Sequence, residues 1–132
     1  WLFVVVWATD VFAYLIGSTV GGQKLAPRIS PKKTWAGFVG GISCAGLIGG
    51  IAGAYLVPLQ EFVFDTWTSG VLWGIVVGLA AQIGDLGESW LKRRQMLKDS
   101  GNIIPGHGGL LDRVDGLMIS TPVMAVLLWT IG

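Results

Sequence analysis

Residues 89–116 read SWLKRRQMLKDSGNIIPGHGGLLDRVDG, a dense polar block set between two strongly apolar segments. The block holds Lys92, Arg93, Arg94, Lys98, Asp99, His107, Asp112, Arg113 and Asp115 around a Pro-Gly-His-Gly-Gly turn. Cations and carboxylates crowded beside an apolar helix are what a site needs to hold a phosphorylated ligand and a divalent metal together. Solvation of a loop does not call for acids and bases alternating around a tight glycine-rich turn.

Outward from this block, the chain is apolar. Hydrophobic residues make up 52% and charged residues 13%, where soluble domains carry about 25% charged, so lipid is the main solvent. Mean hydropathy is +0.66. Stretches near 1–22, 36–57, 67–86 and 113–132 are long enough to cross a bilayer, which takes about 20 helical residues. Helix is the only open-chain solution there, because lipid offers no partner to unpaired backbone groups. The expected fold class is all-α: a polytopic integral-membrane helical bundle of four transmembrane helices with an interfacial helix and loop, in one domain over 1–132. A soluble protein with buried helices is the alternative, and short polar loops would leave it little surface for water. The first stretch lacks a basic leader and carries Asp10 and Tyr14 within its apolar run, so it does not read as a signal peptide. Cys44 is the only cysteine, which excludes an intramolecular disulfide.

Charge orients the bundle. All nine Lys and Arg fall in two loops, at Lys24 to Lys33 and at Lys92 to Arg113, while the intervening PLQEFVFDT carries only Glu61 and Asp65. By the positive-inside rule the basic loops face the cytoplasm. The net charge of +1 gives no indication of nucleic-acid binding. Gly37, Gly41, Ala45, Gly49 and Gly53 recur every fourth residue, as do Gly70, Gly74 and Gly78. Such ridges let helices approach closely. They serve either a homodimer or packing within one subunit, and internal packing is favoured because the two ridges can meet each other.

The polar positions also carry a resemblance. Ser89, Lys92-Arg93, Lys98-Asp99, Pro105, His107-Gly108-Gly109, Asp112-Arg113 and Asp115 together resemble the signature of the phosphatidate cytidylyltransferases, or CDP-diglyceride synthases. Ser30-Pro31-Lys32-Lys33-Thr34-Trp35-Ala36-Gly37, Gln82 through Ser89, and Asp10 with Ala13, Tyr14 and Gly17 resemble further motifs of that family, in order along nearly the whole chain. Family members are longer and begin with further membrane helices, so the resemblance implies the C-terminal, catalytic half of such an enzyme. It also implies a membrane enzyme of phospholipid biosynthesis that joins CTP to phosphatidic acid with a divalent metal, Mg2+.

The residues themselves suggest how. If the third helix continues through GDLGESWLKRRQMLK, then Asp85, Glu88, Ser89 and Lys92 share one face. A carboxylate at membrane depth is costly unless it faces protein or a cavity, which favours Asp85 as a metal ligand over a neutral structural residue. Asp112 and Asp115 bracket Arg113 at the start of the fourth helix. Either could cap that helix, but with Asp85 they form a hard-cation set. Asp85 and Asp112 are the expected first ligands, with Asp115 either a third ligand or an organiser of Arg113. The Pro105–Gly109 turn offers backbone N–H groups to phosphate, although a plain loop could use the same glycines. No GxxxxGK[ST] is present, so there is no P-loop. The expected catalytic residues are therefore Asp85, Asp112, Lys98 and Arg113. Those expected to bind substrate are Ser30, Lys32, Lys33, Ser89, Lys92, Arg93, His107, Gly108, Gly109 and Asp115. Asp10, mid-way along the first helix, is a candidate for the same cavity. Two alternatives stand beside this reading: a cytidylyltransferase for another lipid phosphate, such as an archaeal ether lipid, and a membrane transporter subunit. Transporter sites tend to lie at the midplane, whereas most charges here crowd one surface.

Overall fold

The computed structural model describes residues 1–56, 67–94 and 111–131. It is an all-α membrane bundle, α1 (Leu2–Thr19), α2 (Trp35–Leu56), α3 (Trp67–Arg94) and α4 (Leu111–Ile131), with one short hairpin between the first two helices. Among the described residues, α1, α2 and α3 are long and apolar enough to cross a membrane, and the described apolar part of α4 runs from Leu117 to Val126. The helices start and stop close to the expected spans, with one difference. At 28 residues α3 is about 42 Å long, well beyond the roughly 30 Å of a hydrocarbon core. The excess length lets its last turn, with Lys92, Arg93 and Arg94, extend beyond the apolar span without a break in the helix.

The first basic loop is not irregular. It forms an antiparallel hairpin of β1 (Lys24–Ala26) and β2 (Ser30–Thr34). Local chemistry explains it. Helix α1 stops at Gly21 and Gly22, whose φ values of 65° and 91° suit residues without a Cβ. The strands reverse through Ala26–Ile29, with Pro27 at the position that favours its fixed φ and Ile29 N–H donating to Ala26 O at 3.1 Å. Pro31 is tolerated because both strands of a two-stranded sheet are edges.

Helix α2 then begins with a side-chain cap: Thr34 Oγ1 accepts from Gly37 N–H at 3.1 Å. Thr34 is 3% exposed, so water does not replace that oxygen if it is lost. Thr34→Ala is expected to cost about 1 kcal/mol, measurable by reversible unfolding in mixed lipid–detergent micelles.

Packing follows the rule for helices in lipid, where small residues rather than large ones make the contacts. Helix α2 packs on both α1 and α3, and α4 lies against α3 and α1. The buried residues are mostly small, among them Val5, Val6, Ala45, Val77 and Ala81. Large apolar side chains such as Phe3, Trp7, Tyr55 and Trp129 face outward, the reverse of a soluble protein. The two glycine ridges do meet within the chain. A Cβ at Gly49 would lie 2.6 Å from Gly70 O and 2.8 Å from Gly74 Cα. The α2 ridge also divides: Gly37 and Gly41 face α1 at Gly17 and Ala13, while Ala45 and Gly49 face α3.

Candidate functional site

Polar side chains gather at the end of the bundle that carries the hairpin. A cavity of about 710 Å³ opens there, within the ordinary size range for small-molecule sites. Helix α1 contributes Asp10, Ala13 and Tyr14; the hairpin contributes Lys24, Ser30, Lys32 and Lys33; α3 contributes Gln82 and Asp85.

The hairpin supplies the central contact. Lys33 Nζ forms an ion pair with Asp85 Oδ2, joining β2 to α3. Both side chains are partly exposed, at 21% and 31%, so the pair is open to a ligand entering the cavity. Asp10 lies close enough to interact electrostatically with both. The Lys33 ammonium offsets one of the two carboxylate charges gathered here, which lowers the cost of holding acids near membrane depth.

A second cavity of about 340 Å³ adjoins the first and is lined by Ser30, Pro31, Lys32, Ser89, Lys92 and Arg93 with Ile29. Ser30 and Lys32 therefore line both cavities. Arg93 Nε donates to Ile29 O at 3.3 Å, a second tie between α3 and the hairpin. Lys92 Nζ reaches Glu88 Oε1 at 2.9 Å, one turn away, and the Arg94 guanidinium stacks on the Trp90 ring 5.2 Å from its centre. The helical face expected for Asp85, Glu88, Ser89 and Lys92 is present, because α3 runs unbroken through Arg94.

This constellation has relatives. Residues 1–131 match the model of the cytidylyltransferase family. The chain belongs to the cytidylyltransferase family. It is 48% identical over 131 residues to a phosphatidate cytidylyltransferase of Brucella abortus biovar 1 (strain 9-941), covering 99% of this chain and 45% of that protein. It is 46% identical over 128 residues to the phosphatidate cytidylyltransferase of Staphylococcus aureus (strain COL), covering 96% and 46%. The corresponding protein of Rickettsia bellii (strain RML369-C) is 43% identical over 125 residues, covering 92% and 53%. The chain thus spans about half the length of these relatives. The matches do not favour the transporter or ether-lipid alternatives.

Within this cytidylyltransferase-family chain, seven residues expected to act are brought to the two cavities: Ser30, Lys32, Lys33, Asp85, Ser89, Lys92 and Arg93. Lys98, Asp99, Pro105, His107, Gly108 and Gly109 lie outside the described residues. Asp112, Arg113 and Asp115 belong to the first turns of α4, and their side chains lie outside the described ones. The cavity also takes in residues that motif reading alone did not assign to ligand, namely Gln82, Lys24 and Tyr14. Lys24 was visible as a loop cation, but Gln82 sits in an apolar run where a neutral amide leaves little trace in hydropathy.

Asp85 presents carboxylate oxygens, the donor type that a hard divalent cation takes, at the cavity. Mg2+ takes oxygen ligands and is commonly held by one or two carboxylates plus substrate phosphates. Asp85 already holds one cationic group, the Lys33 ammonium. Among the described residues there is no cluster of three or more His, Cys, Asp or Glu side chains that could hold a metal.

Proposed function

We propose that the protein containing this chain transfers a cytidylyl group from CTP to phosphatidic acid, yielding CDP-diacylglycerol and pyrophosphate. The observation that carries this reading is the convergence of Asp10, Lys33 and Asp85, from three separate motifs, on one cavity with a basic second cavity beside it. The phosphatidate cytidylyltransferases that the chain resembles carry out this reaction by name.

The reaction joins two polyanions, so the protein's task is to bring phosphates together and neutralise them. Two cavities sharing Lys32 and Ser30 suit two phosphorylated substrates held side by side. Lys24 and Lys33 neutralise nucleotide phosphates in the larger cavity. Lys92 and Arg93 meet the lipid phosphate in the smaller one, where α3 leaves the bilayer. A phosphatidate oxygen forms a bond to the α-phosphorus of CTP while the bond to the bridging oxygen breaks and pyrophosphate departs. The attacking oxygen is already anionic, so no strong general base is required. Asp85 orients Lys33 through their ion pair. A Mg2+ ion bound to Asp85 and Asp112, with Asp115 a third ligand or the organiser of Arg113, would supply charge neutralisation at the nucleotide phosphates. Lys98, Arg113, Ser89, His107 and the Gly108-Gly109 turn complete the phosphate contacts in this scheme.

The clustering of the cations at this end supports a cytoplasmic orientation of both cavities in a prokaryotic inner or plasma membrane, where CTP is made. In membranes containing the full-length protein, labelled pyrophosphate should be released from CTP only when phosphatidate is added. Absence of release overturns the proposal, and release driven by another lipid phosphate but not phosphatidate replaces the acceptor.

A further inference from the structure

The phosphate chemistry gives no task to Gln82, a buried polar side chain that lines the larger cavity. Gln82 is 2% exposed, and its Nε2 is buried with no hydrogen-bond partner among the described residues. It lies one helical turn before Asp85 and lines the same cavity. The α2 backbone closes behind it: a Cβ at Gly41 would come within 2.8 Å of Nε2. An unpaired buried amide destabilises a fold, whereas an apolar side chain of the same size would not. Packing alone therefore does not account for a glutamine here; a ligand that completes its hydrogen bonds does.

We propose that Gln82 reads the nucleotide base, its amide pairing with the hydrogen-bonding edge of the pyrimidine ring. The inference rests on the cytidylyl-transfer reading above. Charge decides which part of the nucleotide reaches Gln82. The lysines of the cavity all come from the hairpin, whereas Gln82 lies level with Ala13 and Thr9 of α1, near Asp10. A phosphate is drawn to the hairpin end by these lysines. The neutral, flat base takes the other end, beside Ala13 and its small neighbours. A primary amide presents a donor and an acceptor side by side; cytosine presents an amino donor next to ring-nitrogen and carbonyl acceptors. Sites built on such pairing discriminate strongly against ligands that leave it unmatched.

The test is Gln82→Leu in the full-length membrane enzyme, with kcat/KM measured for CTP and UTP, KM for phosphatidate, and thermal unfolding. The expected result is a fall of about 10²-fold in kcat/KM for CTP and a loss of at least about tenfold in the CTP-over-UTP preference. Phosphatidate KM should stay within about twofold, and the unfolding midpoint should be unchanged or raised, as removal of an orphaned donor predicts. If Gln82→Leu does not accumulate, Gln82→Met, which keeps the length of the side chain, is read the same way. Unchanged nucleotide preference overturns the inference; combined with a raised phosphatidate KM it assigns Gln82 to the lipid, and combined with a lowered midpoint alone it makes Gln82 a packing residue. A wild-type enzyme that releases no pyrophosphate from CTP overturns the cytidylyl-transfer reading and this inference with it. An active enzyme with unaltered selectivity in the variant overturns this inference only.

Discussion

Asp85→Asn is expected to lower cytidylyl transfer by about 10³-fold while leaving a folded membrane protein. Asparagine keeps the shape of the side chain and removes its charge. Lys33 then loses the carboxylate it holds, and the hairpin loses one of its two described ties to α3, the other being Arg93 to Ile29 O. Loss of a single preorganised electrostatic contact at a reacting phosphate costs on the order of 10²–10³ in rate, and Asp85 serves both Lys33 and the proposed metal. The stability cost is far smaller. The pair is partly exposed, and such pairs contribute up to about 1 kcal/mol. Asp112→Asn should match it in effect if the two acids act on one ion. Pyrophosphate release from CTP, measured beside the unfolding midpoint of each variant, separates the catalytic loss from a folding loss. Substantial activity in Asp85→Asn would remove Asp85 from the centre of the site.

The largest structural effect should come from Gly74→Val. A Cβ at Gly74 would run into Ala45 O and lie 3.1 Å from Gly49 Cα. Both obstacles are backbone, so no side-chain rotation relieves them and α2 must move away from α3. Overpacking of this kind costs about 3 kcal/mol, and in lipid no gain in hydrophobic burial offsets it, since the membrane is as apolar as the valine. Gly87→Ala is the matched control. It lies on the same helix, a Cβ there meets nothing within 4 Å, and the helix gains up to about 1 kcal/mol in propensity. Unfolding midpoints in bicelles should therefore fall steeply for Gly74→Val and hold or rise for Gly87→Ala. Equal midpoints would mean that the α2–α3 contact does not limit stability.

Much of this architecture was legible in the sequence because membrane helices declare themselves by length and hydropathy. Small residues at four-residue spacing likewise foretold that α2 and α3 would touch. The hairpin at 24–34 was not legible. Its strands are short and charged, one contains Pro31, and neither shows the alternation that marks a half-buried strand. Reading it as loop hid the consequence that Lys33 alone pairs with Asp85 while Lys32 lines both cavities. The place of Asp10 beside that pair depends on how α1 leans on α2 and α3, which no local pattern encodes. Gln82, read only as the first residue of a motif, was given no task for a different reason: hydropathy weighs a neutral amide lightly, and its significance emerges only when burial leaves its nitrogen without a partner among the described residues.

The ion pair between Lys33 and Asp85 also bears on how the protein is made. Lys33 is translated before the segment that carries Asp85, so on the emerging polypeptide its ammonium has Asp10 of α1, lipid headgroups and water to rest against, and not its ion-pair partner. The pocket cannot close until the third helix has entered the bilayer and delivered its carboxylate. Completion of the cavity is thereby tied to insertion of α3, and a nascent chain halted before that helix would carry the hairpin lysines without the carboxylate that Lys33 pairs with.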